Sequence, residues 1–195
     1  IASSTAQKNS FELLVHIMTG GKAGMYLSNL KINDLVQFQG PAGIFTLRES
    51  ERDKVFLSTG CGIAPIRSIL KSIIYHPSTR YFLFWGFSTF KDVYIYDELK
   101  RIKAQNPNFN FTICLSRETN LDMIPVEDRK HFMLGHITDG FNKFLELPLQ
   151  GEQVTSYKLQ ESDFYLCSRR EVIDSLKIYL ASIGALKEQV YFEKF

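Results

Sequence analysis

A glycine-rich loop, Ser58-Thr-Gly-Cys-Gly-Ile-Ala-Pro65, carries the strongest chemical signal in this sequence. It joins an apolar run typical of a buried strand to a stripe of isoleucines at helical spacing. Glycines let a ligand's phosphates approach the backbone, and the free N–H groups at the start of the following helix attract negative charge. The loop therefore predicts phosphate or nucleotide binding. The alternative is a turn that only connects two elements.

Two cysteines and one arginine fall at the predicted carboxyl ends of strands. Cys61 lies within the loop, and Cys167 ends a later strand. Because parallel strands present their carboxyl ends at one edge of a sheet, both thiols can approach the same crevice. Cys114 falls in mid-strand and fits a small buried side chain. Arg117 follows another strand, where an arginine can hold a phosphate by paired hydrogen bonds.

No set of side chains predicts acid–base, nucleophilic or metal chemistry. The four histidines lack ligand spacing, and neither a Ser-His-Asp arrangement nor a carboxylate pair can be argued. A bound cofactor is therefore the expected source of any chemistry.

The elements that must position these residues change character near residue 50. Residues 1–48 contain strand-like runs at Phe11–Ile17 and Leu35–Gln39, with a short helix between them at Ala23–Leu30. This pattern predicts part of a small antiparallel barrel. We therefore expect a domain boundary at residue 50, with a partial barrel over 1–50 and a second domain over 51–195.

Residues 51–195 alternate between strands and helices. Helices are predicted from Pro65 to Ile74, at Tyr96–Ile102, around Thr138–Leu145 and from Val172 to Ile183, and Gln150–Ser162 is predicted as a polar surface connection. The strand candidates are Val55–Thr59, Tyr81–Phe87, Phe109–Leu115, Phe164–Cys167 and Val190–Glu193. This alternation predicts an α/β domain with a five-stranded parallel Rossmann-like sheet covered on both faces.

Composition excludes several classes of protein. The 195 residues are 45% apolar with a net charge of +2, which predicts a folded core and no nucleic-acid or membrane binding by charge alone. No apolar run approaches the ~20 residues of a membrane span. Ile1–Ser10 lacks the features of a signal peptide. Three cysteines without a close pair favour a reducing compartment, so we expect a cytoplasmic protein.

Six motifs occur in a recognisable order, and together they cover nearly the whole chain. They are Ile1-Ala-Ser-Ser4, Gly20-Gly-Lys-Ala-Gly-Met-Tyr-Leu27, Gly40-Pro-Ala-Gly-Ile-Phe45, Gly60–Pro65, Asp163-Phe-Tyr-Leu-Cys167 and Val190-Tyr-Phe-Glu-Lys-Phe195. In these motifs the chain resembles the ferredoxin–NADP reductase superfamily of flavoproteins, especially its oxygenase-reductase and cytochrome b5 reductase branches.

The resemblance implies two cofactors, FAD and either NADPH or NADH. The implied flavin-binding residues are Ile1, Ala2, Ser3, Gly20, Gly21, Lys22, Ala23 and Gly24. The implied nucleotide-binding residues are Gly60, Cys61, Gly62, Ile63, Ala64, Pro65, Ser116, Arg117, Ser168 and Arg169. The implied catalytic residues are Cys167, Glu193 and Phe195, with the Phe195 ring covering the flavin. Ser116-Arg117-Glu118 resembles the segment that receives the 2′-phosphate, which favours NADPH, and Arg169 and Arg170 could add charge there.

The chain departs from the family pattern at several positions. The flavin-binding Arg, Tyr and Ser of the family would precede Ile1, which suggests that the chain is incomplete at its N-terminal side. Gly24, Cys61, Ser88, Ser168 and Val172 replace the usual Ser, Thr, Arg, Gly and Met. The sequence is therefore compatible with two functions.

The first is an NAD(P)H-dependent flavin oxidoreductase that passes electrons to a protein acceptor. That acceptor is a ferredoxin, an oxygenase or a haem protein, which could be fused upstream. The second is a nucleotide- or partner-binding module of the same fold without a competent flavin site.

Overall fold

A six-stranded parallel sheet forms the centre of the computed structural model, which describes residues 1–72, 78–146 and 159–195. The strands are β1 (Asp53–Thr59), β2 (Tyr81–Phe87), β3 (Phe109–Leu115), β4 (Phe132–Leu134), β5 (Ser162–Ser168) and β6 (Val190–Lys194). Their spatial order is β4-β3-β2-β1-β5-β6, and every neighbouring pair is parallel. The central strands are apolar along their whole length because both faces of the sheet are covered.

Helices cover the two faces of this sheet. The covering helices are α2 (Ile63–Ser72), α3 (Tyr96–Gln105), α4 (Ile137–Glu146) and α5 (Arg170–Ser182), and a further helix, α1 (Lys22–Asn29), precedes the sheet in the chain. One core contains buried side chains of α2 and α3, and the other contains those of α4 and α5. The predicted alternation of strands and helices with coverage of both faces is thereby confirmed. The predicted apolar positions Ile73 and Ile74, and most of the predicted connection Gln150–Ser162, lie outside the described residues.

The predicted number of parallel strands was too low by one. The additional strand, β4, pairs with β3 through Ile113 and Phe132. It is only three residues long and follows the charged run Arg129–His131. Such a short element gives no measurable period, so hydrophobic patterning could not detect it.

The predicted antiparallel strands of residues 1–48 are not formed as strands in this structure. Between residues 1 and 52 the single regular element is α1. A strand needs the backbone of a neighbouring strand for its hydrogen bonds. Backbone hydrogen bonds within this part are local turns, apart from the N–H of Ala2 donating to the carbonyl oxygen of Glu12 at 2.8 Å. Several apolar side chains of these predicted strands are consequently exposed, and Leu35 is 99% exposed.

The predicted domain boundary at residue 50 stays a prediction. Within the described ranges, no helix is both long and apolar enough to cross a membrane.

Candidate active site at the carboxyl edge of the sheet

The glycine-rich loop forms one turn of 3-10 helix, Gly60–Gly62, between β1 and α2. Gly60 has a φ of +49°, and a side chain there would meet nothing within 4 Å, so this side of the loop is open. Thr59 does not cap the turn, because its hydroxyl instead hydrogen-bonds the hydroxyl of Ser168. The backbone N–H groups at the start of the turn are therefore available to an anion.

Two aromatic side chains hold the glycine-rich loop in place through its backbone. The indole N–H of Trp85 and the hydroxyl of Tyr94 both donate to the carbonyl oxygen of Gly60, at 2.9 and 3.0 Å. Their rings meet edge to face at 5.0 Å. Burial raises the pKa of Tyr94 above its ordinary value, which keeps the hydroxyl protonated as a donor. Neither residue stands out in the sequence as part of a site, since each resembles an ordinary core aromatic.

Within the loop, backbone and side chains have different surroundings. The side chain of Ile63 is fully buried in the core, so only its backbone can face a ligand. Cys61, Ala64 and Pro65 are half-buried. Gly62 is buried directly against β5. The predicted nucleotide-binding residues of this loop therefore offer backbone groups more than side chains.

Cys167 lies on the other side of the loop, near the end of β5. Its carbonyl oxygen accepts a hydrogen bond from the hydroxyl of Ser58 at 2.9 Å. Its side chain is 2% exposed, and burial raises the pKa of the thiol to about 12, with further increases from Glu193 and Cys61. The thiol is therefore neutral at physiological pH and does not act as a thiolate nucleophile.

The other predicted catalytic residues are brought to the same place. Glu193 of β6 is the register partner of Cys167, and its carboxylate lies beside Gly43. The Phe195 N–H points to the carbonyl oxygen of Ser168 at 3.4 Å, and its side chain is 56% exposed. The structure thus brings the loop and the ends of β5 and β6 together.

The predicted flavin segment Gly20–Gly24 forms the start of α1. Gly21 is the N-cap and supplies no side-chain cap, so the first-turn N–H groups are free for an anion. Gly24 is buried, and a side chain there would meet Ile17 at 3.3 Å. A serine at this position would therefore point into Ile17. Among the described residues, no hydrogen bond or ion pair joins α1 to the 60–62 loop.

Arg117 and Arg169 lie on the same edge of the sheet but on different sides of the crevice. Arg117 follows β3 and Arg169 follows β5, with β2 and β1 between these strands. Three strand spacings separate the strand ends that carry them by about 14 Å. The side chain of Arg117 is exposed, and its N–H donates to the carbonyl oxygen of Ser88 at 2.9 Å. The neighbouring Ser116 hydroxyl donates to the carbonyl oxygen of Phe87 at 3.2 Å.

Family models match both parts of the chain. Residues 56–177 match the oxidoreductase NAD-binding domain, and residues 1–47 match the oxidoreductase FAD-binding domain. The chain belongs to the ferredoxin–NADP reductase superfamily. The resemblance inferred from the six motifs is thereby confirmed.

Relatives of this superfamily member include components of oxygenase systems. The chain is 26% identical over 201 residues to the reductase component of propane 2-monooxygenase from Rhodococcus jostii, with 100% of this chain and 50% of the relative aligned. It is 27% identical over 199 residues to the electron transfer component of toluate 1,2-dioxygenase from Pseudomonas putida, with 99% of this chain and 52% of the relative aligned. The chain thus spans about half the length of these curated relatives.

A solved structure supports the fold of this ferredoxin reductase-like chain. The cytochrome P450 reductase from Amycolatopsis superposes with a TM-score of 0.76 at 22% identity, over 93% of this chain and 50% of that one.

The residues present fit the two cofactors of the superfamily. Two uncapped helix starts, at Gly21 and at Gly60–Gly62, offer free N–H groups of the kind that bind phosphate. Gly60 leaves open space beside the second of these helix starts. The FAD-binding and NAD-binding domains therefore both contain suitable anion sites.

Proposed function

We propose that this chain is the FAD- and nicotinamide-nucleotide-binding part of an NAD(P)H-dependent reductase that passes electrons to a protein acceptor. One observation carries the proposal. The open glycine loop, Cys167 and Glu193 meet at one edge of the sheet, and Ala2 of the predicted flavin-binding residues lies against α2, the helix that follows the loop. Two cofactors that must exchange electrons need such a shared crevice.

Each part of the site has a separate task. The N–H groups of the 60–62 turn bind the phosphates of the nucleotide, and those at the start of α1 bind the phosphates of FAD. Cys167 and Phe195 exclude water from the region between the rings, and Glu193 provides a fixed negative charge beside it. When bound, FAD would supply the chemistry that takes a two-electron hydride from the reduced nicotinamide and releases the electrons one at a time.

The proposed electron acceptor is inferred from the systems to which the relatives belong. Two of them are named as electron-transfer or reductase components of oxygenases. A ferredoxin, an oxygenase or a haem protein, separate or fused upstream, is therefore the acceptor we propose. The free cysteines Cys61, Cys114 and Cys167 support a reducing, cytoplasmic setting.

The absorption spectrum of the purified full-length protein tests flavin binding. We expect FAD in near-stoichiometric amount. Lys22→Glu should weaken FAD binding about tenfold, because it puts a carboxylate beside the proposed phosphate site. Lys31→Glu makes the same charge change beyond the other end of α1, and it should bind FAD as the wild type does.

A colourless protein that cannot be reconstituted with FAD would contradict the proposal. That result would favour the second function, a nucleotide- or partner-binding module without a competent flavin site. The surroundings of Gly24 support this second function. A side chain there would face Ile17, and glycine supplies no hydroxyl for a phosphate.

We expect NADPH to be preferred over NADH, with Arg117 as the cause. Its exposed guanidinium has no hydrogen-bond or ion-pair partner among the described residues. Charge-assisted hydrogen bonds to a 2′-phosphate contribute about 1.5–3 kcal/mol, so Arg117→Ala should lower kcat/KM for NADPH about 10- to 100-fold and leave NADH unchanged. Arg101→Ala, an exposed arginine on α3, is the control. A wild-type preference for NADH, or an unchanged ratio in Arg117→Ala, would exclude this role.

A further inference from the structure

Arg67 is a nearly buried arginine that the predicted site does not include. It lies on α2, five residues after the end of the 60–62 turn, and is 8% exposed. Its Nε and one terminal nitrogen donate to the two carboxylate oxygens of Glu98 on α3, at 2.7 and 2.9 Å. This paired contact fixes the plane of the guanidinium.

The remaining nitrogen of Arg67 reaches a different part of the chain. It donates to the carbonyl oxygen of Ala2 at 2.7 Å and to the carboxylate of Glu12. Ala2 is itself tied to Glu12 through its N–H. Arg67 holds the pKa of Glu12 below its ordinary value by donating this hydrogen bond. The side chain of Arg67 therefore connects α2, α3 and the predicted flavin-binding residues Ile1–Ser3.

The next turn of α2 extends the same contact. The N–H of Thr5 donates to the hydroxyl of Ser72 at 2.9 Å, and the hydroxyl of Ser4 donates to the carbonyl oxygen of Lys71 at 3.2 Å. Ala2 and Ser3 are 0% and 3% exposed. The first residues of the chain thus lie fixed along one side of α2, and Arg67 is their central contact.

The same helix begins at the nucleotide loop. Ile63, Ile66 and Leu70 anchor α2 in the core, so the helix cannot shift independently of the 60–62 turn. We propose that Arg67 is a positioning residue that sets the flavin-binding segment Ile1–Ser3 at a fixed place relative to the nucleotide-binding loop. The inference rests on the proposed function, because that function assigns FAD to the segment and the nucleotide to the loop.

A role in stability alone explains less of the geometry. The contact with Glu98 already joins α2 to α3 within the NAD-binding part. The contacts with Ala2 and Glu12 add a connection to the FAD-binding part, and the carbonyl of Ala2 lies within the segment proposed to hold FAD. Arg80 offers a matched comparison, because it also makes a paired contact with a carboxylate, that of Asp53, at the opposite edge of the sheet.

Hydrogen exchange of the flavin-free full-length protein tests the contact without any cofactor. In Arg67→Met we expect the amides of residues 3–5 to exchange at least about tenfold faster, while those of β1 keep their protection. Arg80→Met should leave the amides of residues 3–5 unchanged. Equal exchange of residues 3–5 in Arg67→Met and wild type would overturn the proposal, whether or not the protein binds FAD.

Flavin spectroscopy tests the consequence for the site, at a temperature where circular dichroism shows every variant folded. Arg67→Met should weaken FAD binding about tenfold and abolish the change in flavin absorbance that saturating NADP⁺ produces in the wild type. Arg67→Lys should restore part of both, and Arg80→Met should change neither. If Arg67→Met does not fold, Glu12→Gln removes the inter-part ion pair alone and should weaken FAD binding about threefold.

The two proposals fail in different ways. A wild-type protein that binds no FAD contradicts the proposed function, and hydrogen exchange then still decides the contact. A wild type that binds FAD, with Arg67→Met and Glu12→Gln both within twofold of its affinity and its spectral change, overturns the positioning role alone.

Discussion

Gly62→Ala should lower the midpoint of thermal unfolding by about 10 °C. A Cβ at Gly62 would lie 2.1 Å from the carbonyl oxygen of Cys167 and 2.8 Å from its carbonyl carbon. These are backbone atoms of a central strand, so they cannot rotate away as a side chain would. Overpacking of this kind costs about 3 kcal/mol, and each kcal/mol corresponds to about 2–4 °C in a domain of this size. Thermal unfolding followed by circular dichroism measures the effect.

Gly60→Ala is the matched control on the same loop. A side chain at Gly60 meets nothing within 4 Å, so its cost is that of a positive φ, about 1 kcal/mol. Equal melting points for the two variants would contradict the packing role of Gly62. A larger substitution at Gly62, such as Gly62→Val, would meet the same backbone atoms of Cys167. Such a variant disturbs the contact with β5, so Gly60 is the cleaner probe of nucleotide binding.

The central sheet was largely predictable because its strands are buried on both faces. The bounds of β2 and β3 agree with the predicted Tyr81–Phe87 and Phe109–Leu115. Continuous apolar runs between amphipathic stripes leave few alternatives. The strands expected before residue 50 are not formed, and the sequence could not show this, because strand formation depends on hydrogen-bonding partners from elsewhere in the chain. A sequence pattern shows which residues suit a strand and not whether a partner lies beside them.

The candidate site was predictable where backbone geometry carries the function. A glycine-rich turn before a helix is visible in sequence, and its open face follows from Gly60. Trp85, Tyr94 and Arg67 were missed because their roles depend on hydrogen bonds to residues distant in the sequence. Arg67 in sequence is a charged residue on an amphipathic helix, for which a solvated position is the usual expectation. Only the fold shows that three other segments enclose it.

We expect Asp163→Asn to reduce the free energy of unfolding by about 3–5 kcal/mol, the cost of leaving one buried charge without its partner. Asp163 and Lys54 face each other on β5 and β1, at the edge of the sheet opposite the site. Both side chains are 2% exposed, and the ammonium lies 2.7 Å from the carboxylate. The hydroxyl of Ser50 also donates to this carboxylate, at 2.5 Å. Urea unfolding at pH 7 measures the loss, and Asp174→Asn at an exposed ion pair should stay near wild type.

The same pair predicts how stability depends on pH. Burial alone would raise the pKa of Asp163, but hydrogen bonds from Lys54 and Ser50 and the charges of Lys54 and Arg52 outweigh it and hold the pKa below 3.8. The folded state therefore binds fewer protons than the unfolded state as the pH falls below about 4, and the stabilisation present above that pH is lost. The difference between wild type and Asp163→Asn should accordingly be constant from pH 5 to 7 and shrink at lower pH.

Replacing both partners separates the contribution of the pair from the cost of breaking it. In Lys54→Met/Asp163→Leu no buried charge is left unpaired, and apolar replacements of buried ion pairs are often neutral or stabilising. We therefore expect the double variant to recover most of the stability that Asp163→Asn loses, and to lose the pH dependence below about 4. A double variant as unstable as Asp163→Asn would instead show that the stability lost there comes from the hydrogen bond of Ser50 or from packing, and not from an uncompensated ammonium.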